Sequence, residues 1–139
     1  MVARNSEAFL DIAAQVLARG HRVRFVAEGD SMRPTLRGGE ALIVAPVVPP
    51  EVGVDDILLY RAGNRAYVHR VIAIGDESRR VFTLRGDADD AVAEHVPAEQ
   101  VLGRVVAIQR EGPGKRLVLH LKRAAARLGK LGDGGVPAA

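Results

Sequence analysis

Short apolar runs alternate along this chain with polar breaks that carry Gly, Pro, Asn or Asp. The first run differs from the others. Over residues 6–18, Phe9, Ile12, Ala13, Val16 and Leu17 recur at helical spacing and share one face. Asn5 or Ser6 can cap the start, and Gly20 fits the stop. Such a face could lie on a membrane or pack on a domain. It is short, it mixes alanine with larger residues, and its polar side carries Glu7 and Asp11, so packing is the expectation.

From residue 22 the runs become short and β-branched. Strands are expected at 22–28, at 40–48 up to Pro49-Pro50, and within 53–60 after a turn. A hairpin loop with Gly63-Asn64 at 61–66 leads to a strand at 67–74. A polar turn at 75–80, an extended stretch at 81–84 and a last strand at 101–109 complete the set. Many short strands between turn signals predict a mostly β domain: an antiparallel barrel or folded sheet, with short helices at the two ends. There are no internal repeats.

The composition shifts at Glu111. Gly112-Pro113-Gly114 reads as a linker or turn, residues 115–130 are basic and apolar, and the tail GDGGVPAA reads as frayed. Leu117, Leu121, Ala124 or Ala125 and Leu128 would line one face of a helix, with Lys122, Arg123 and Arg127 partly opposite. A basic amphipathic helix docks on a protein partner or on an anionic membrane surface. The expected organisation is one domain at 1–110, including the N-terminal helix, and a basic helix with a flexible tail at 111–139.

At 139 residues the chain is long enough for one real core. Aromatics are 4% of it, so Val, Leu, Ile and Ala must fill that core. With no cysteine, disulfides, thiolate chemistry and cysteine-held metals are excluded. The net charge of +3 favours anionic surfaces mildly and does not call for nucleic acid. No apolar stretch approaches the roughly 20 residues of a membrane span. The N-terminus lacks the pattern of a secretory signal. The expected location is the cytoplasm, peripheral to a membrane at most.

Candidate chemistry concentrates at residues 26–36, VAEGDSMRPTL. Gly29 permits a tight turn, and Pro34 stops the segment from continuing as helix or central strand. Ser31 therefore stands where a strand ends and the backbone bends, at a rim that a substrate can reach. Alone, a Ser-Met pair in a turn is an ordinary polar loop. Two downstream stretches change that: Ala66-Tyr67-Val68-His69-Arg70-Val71-Ile72, and Arg85-Gly86-Asp87.

These three boxes, in this order, resemble the type I signal peptidases and their relatives, among which the self-cleaving domains of SOS repressors are more distant. The resemblance covers roughly residues 22–108. Most bacterial members carry lysine where this chain has His69. Histidine there is similar to the endoplasmic-reticulum, archaeal and sporulation-type branch, which uses serine and histidine. The resemblance implies a mostly antiparallel β fold, and cleavage of an extended peptide or precursor protein at small side chains. Those peptidases usually carry a membrane anchor before the serine box, and this chain shows none, so a soluble form is expected.

Amide hydrolysis needs a nucleophile, a base and donors for the oxyanion. Ser31 is the candidate nucleophile. His69 is the candidate base, with an ordinary pKa suited to neutral pH. Val68 and Val71 would shelter it. By position in its box, Asp87 is the first choice for the carboxylate that orients the imidazole. In the serine-histidine relatives a second aspartate follows about six residues later, and here that residue is Ala93. Asp90 and Glu94 are the substitutes, and without either the site works as a dyad. The loop of Asp87, Asp89 and Asp90 reads as a solvated turn rather than a metal site, so no cofactor or metal is expected. The Ser31 N–H is the expected oxyanion donor. Some relatives add a hydroxyl two residues before the serine, where this chain has Gly29. Val26, Gly29, Asp30 and Met32 are expected along the substrate groove, where a peptide adds to the strand entering Ser31.

Two functions follow. One is a serine endopeptidase. The other is a catalytically weak or inactive module that holds extended peptides, favoured by Ala93 and Gly29. A self-cleaving regulator fits less well, because the chain lacks a helix-turn-helix and the lysine base.

Overall fold

The computed structural model describes residues 1–4, 6–112 and 115–121. Among them are strands β1 (Val2–Ala3), β2 (Val23–Glu28), β3 (Ala41–Ala45), β4 (Ile57–Ala62), β5 (Arg65–Ile74), β6 (Val81–Arg85), β7 (Glu94–Pro97), β8 (Val101–Gly112) and β9 (Lys115–His120). One α-helix, α1 (Glu7–Ala18), lies between β1 and β2. Every strand pairing is antiparallel. Six strands close a barrel in the order β1-β2-β3-β8-β4-β5, with β5 meeting β1 again. The expected mostly β, antiparallel architecture is the one observed.

Two long strands make closure possible, because each serves different partners along its length. The start of β5 closes on β1 at Tyr67, and its second half carries β6 and then β7. β8 pairs with β4 through its first half and with β3 through its middle; its end pairs with β9. β4 lies between β5 and β8 with both faces covered, which explains its uninterrupted apolar run Ile57-Leu58-Leu59-Tyr60. Ile57 and Leu59 join the main core with Phe25, Leu36, Leu42 and Val68. Leu58 and Tyr60 face a second core with Val71, Phe82, Leu84 and Val96. Alternation along a single strand thus separates two cores.

In α1, the Ser6 hydroxyl accepts from the Phe9 N–H at 3.2 Å and caps the helix. The buried stripe is Leu10, Ala13 and Leu17, rotated from the expected face, and Ile12 is 60% exposed. Phe9 meets Phe25 edge-on at 5.7 Å, and Arg61 reaches Asp11 at 2.6 Å. These two contacts hold the helix on the barrel in that rotation.

The C-terminal expectation is corrected where it is described. Lys115–His120 is a strand pairing with β8 from Gly112↔Lys115 to Ala107↔His120, not the first turns of a helix. The end of β8 offers N–H and C=O groups along its edge, and the segment with leucine at every second position (Leu117, Leu119, Leu121) takes them as a strand. Residues 122–139 lie outside the described residues, and with them the rest of that expectation. No helix among the described residues is long and apolar enough to cross a membrane.

Candidate active site

Strand β2 delivers the serine. It ends at Glu28, Gly29 turns with φ +102°, and Ser31 follows in a turn stabilised by the Arg33 N–H donating to the Asp30 carbonyl at 3.1 Å. Strand β5 delivers the histidine. Ala66 and Val68 point into the main core, so alternation puts Tyr67, His69 and Val71 on the opposite face. The two elements meet: Ser31 Oγ lies 3.1 Å from His69 Nε2. That is hydrogen-bond reach between residues 38 positions apart.

The other imidazole nitrogen is held as well. Tyr60 Oη lies 2.8 Å from His69 Nδ1, and the Tyr60 hydroxyl donates to Glu94 Oε1. Glu94 Oε1 is itself 3.7 Å from His69 Nδ1. Since Tyr60 gives its proton to Glu94, its oxygen accepts from an Nδ1–H. That tautomer leaves the Nε2 lone pair facing Ser31. The sequence reading missed Tyr60, which sits in an apolar run where an aromatic reads as core. It is core, at 1% exposure, yet its hydroxyl tip reaches the site.

Asp87 is placed elsewhere than expected. Arg70 grips it with two bonds, Nε to Oδ1 and Nη2 to Oδ2, each 2.8 Å, and the Thr35 hydroxyl donates to Oδ2 at 2.6 Å. Burial alone would raise its pKa; the bonds from Arg70 and Thr35 outweigh this and hold it below the usual aspartate range. Asp87 therefore ties the serine turn to the histidine strand rather than bonding the imidazole. Its neighbour Gly86 is part of the same clasp. A Cβ on Gly86 would fall 2.3 Å from the Ser31 carbonyl oxygen, and the Ala88 N–H donates to that oxygen at 2.9 Å. The Gly-Asp box is a brace for the Ser31 backbone.

Of the remaining expected residues, Glu94 joins the site through Tyr60, whereas Asp90 is exposed and has no described bond to His69. Gly29 and Asp30 are exposed beside Ser31, and Val26 is half-buried. Met32 does not line a groove: it is 0% exposed in the main core, because the turn after Ser31 sends its side chain into the barrel. No cluster of metal-ligating side chains occurs among the described residues.

The space beside Ser31 is filled by the chain itself. Strand β1 lies between β2 and β5, and the Met1 α-ammonium donates to Ser31 Oγ and stands 3.4 Å from His69 Nε2. The His69 side chain is only 13% exposed. Burial foremost, then the Met1 charge, lowers its pKa from 6.5 to about 4 against the opposing pull of Glu94. Burial likewise lowers the pKa of the Met1 amine.

No protein-family model, curated protein or solved structure matches the chain.

Proposed function

We propose that this chain is a serine endopeptidase resembling the signal peptidases, with Ser31 as nucleophile and His69 as general base. The observation that carries the reading is the Ser31 Oγ–His69 Nε2 distance of 3.1 Å, in a site where Nδ1 is already committed to Tyr60. Ser31 Oγ would attack the scissile carbonyl while its proton passes to Nε2. The imidazolium would be stabilised by Glu94 through the Tyr60 hydroxyl, and the developing oxyanion by the Ser31 N–H. Collapse would return the Nε2 proton to the leaving amine and leave an acyl-Ser31 ester, which water cleaves with the same base. The substrate class is an extended peptide with small residues flanking the cut, as the resemblance implies.

A fluorophosphonate probe tests this directly, because it phosphonylates an activated serine whatever the natural substrate. Labelling of the parent, lost in Ser31→Ala and in His69→Ala, is the expected result. A folded parent that labels no faster than Ser31→Ala would leave the peptide-holding module as the reading, with the serine–histidine pair a structural contact.

A further inference from the structure

We propose that the N-terminal strand β1 is a displaceable plug in the peptide channel, so that the chain rests in a self-occupied state and opens when an extended peptide replaces β1. The inference rests on the peptidase reading above and adds where the peptide lies and what guards it. Both flanking strands run toward the reacting pair: β2 leads into Ser31 and β5 into His69. The slot between them is filled by β1, antiparallel to both, with Val2 opposite Glu28 on one side and Tyr67 on the other.

Two observations make β1 an occupant of the channel rather than a bystander. The Met1 ammonium sits on Ser31 Oγ, where an incoming carbonyl carbon must approach to about 3 Å. Both cannot be there together. In addition, β1 uses the backbone groups through which a peptide would add to the sheet: the Val68 N–H donates to the Met1 carbonyl at 2.9 Å, and the Val26 carbonyl accepts from the Arg4 N–H at 2.8 Å.

The plug is also lightly held by its backbone. It contributes two strand residues, against six in β2 and ten in β5. Its ion pair, Arg4 with Glu28, is at the surface, with side chains 58% and 42% exposed, and such pairs contribute little. The inward side chains of Met1 and Ala3, each 7% exposed, are its main anchor. A segment so briefly paired opens locally more readily than the longer strands around it. Channel occupancy then sets the fraction of molecules open to substrate.

The test compares fluorophosphonate labelling rates of the full chain, a chain lacking residues 1–4, and the full-length variant Arg4→Glu, with Ser31→Ala as the blank. Removing the plug should raise the rate about tenfold if the open fraction is near one in ten. Arg4→Glu, which sets a carboxylate against Glu28, should raise it less. Adding the peptide Met-Val-Ala-Arg should slow the shortened chain again, in a saturable way. A shortened chain that keeps its circular dichroism spectrum and labels at the parent rate overturns the plug while leaving Ser31 reactive. Should the shortened chain not fold, the full-length variant Ala3→Asp, which sets a carboxylate at the buried anchor of β1, takes its place, and an unchanged rate there overturns the plug equally. Labelling at the Ser31→Ala level in every form would instead bring down the nucleophile assignment itself.

Discussion

Tyr60 Oη stands 2.8 Å from His69 Nδ1, reached diagonally across the β4–β5 ladder, where Tyr60 pairs with Tyr67 and Leu58 with His69. A carboxylate placed on the far side of that hydroxyl completes the line Glu94–Tyr60–His69–Ser31. Tyr60→Phe keeps the buried ring and removes the hydroxyl that links Glu94 to His69. It should lower the labelling rate of Ser31 by about a hundredfold, less than the roughly ten-thousand-fold lost when a directly bonded carboxylate is removed. Glu94→Gln should act in the same direction and more weakly, since the amide oxygen of the new side chain can still accept from the phenol. Thermal melts of both should stay near the parent, which separates a positioning role from a packing one.

Asp87→Asn should behave as a stability variant. It leaves the Arg70 guanidinium half-buried with a neutral partner and weakens the Thr35 bond, at a cost of about 1–3 kcal/mol. Denaturant unfolding should show that loss. Asparagine retains one acceptor, so part of the clasp and part of the labelling should survive; complete loss of labelling with unchanged stability would assign Asp87 to the reaction instead. Ala93→Asp should gain little, because Nδ1 already has its partner.

Gly86→Ala should damage both the fold and the site. The new methyl would meet the Ser31 carbonyl oxygen at 2.3 Å and the Ala91 Cβ at 3.1 Å. The backbone behind Ser31 must shift, at a cost of roughly 1–3 kcal/mol. Labelling should fall by more than the loss of folded protein explains, when measured at a temperature where the variant remains folded.

Burial of His69 should appear in pH profiles. Its pKa is about 4 in the folded chain and 6.5 when exposed. The imidazole therefore stays neutral, and labelling should persist below pH 6.5 and fade toward pH 4. Stability follows the same window. Between pH 6.5 and about 4 the unfolded chain binds the proton and the folded chain does not, so stability is full above 6.5 and declines as pH falls through the interval. Asp87, held below its ordinary 3.8, adds a further loss at still lower pH. An acid limb centred at pH 6.5 would place His69 in water rather than in the site.

Asp56→Ala should be the costliest of these substitutions to the fold. Asp56 bonds Arg104 at 3.1 Å and accepts from the Gly53 N–H at 2.9 Å, with the two charged side chains 5% and 8% exposed. Leaving Arg104 buried without that carboxylate should cost about 3–5 kcal/mol in denaturant unfolding.

How far the chain can be read in advance follows from the range of each interaction. Strands β2 to β6 and β8 repeat apolar residues over several positions between turn residues, and helix α1 carries its own cap; such signals are local. The three boxes likewise stand in the sequence, and the serine and histidine they indicate meet in the fold. β1 and β7 have two and four residues, too few for a period to show. Residues 115–121 satisfy a helical spacing and an alternating one at once, and the free end of β8 decides for a strand. The rotation of α1 depends on Phe25 and Arg61, far along the chain. The role of each acid is settled last. Asp87 and Glu94 are both near enough in sequence to serve His69, but Arg70 captures the first and Tyr60 receives the second. Sequence alone supplied β2 to β6 and β8, the serine turn and the histidine. Only the tertiary fold, which sets side chains from β4, β5, β7 and two loops within bonding distance, could decide which partner each charged group takes.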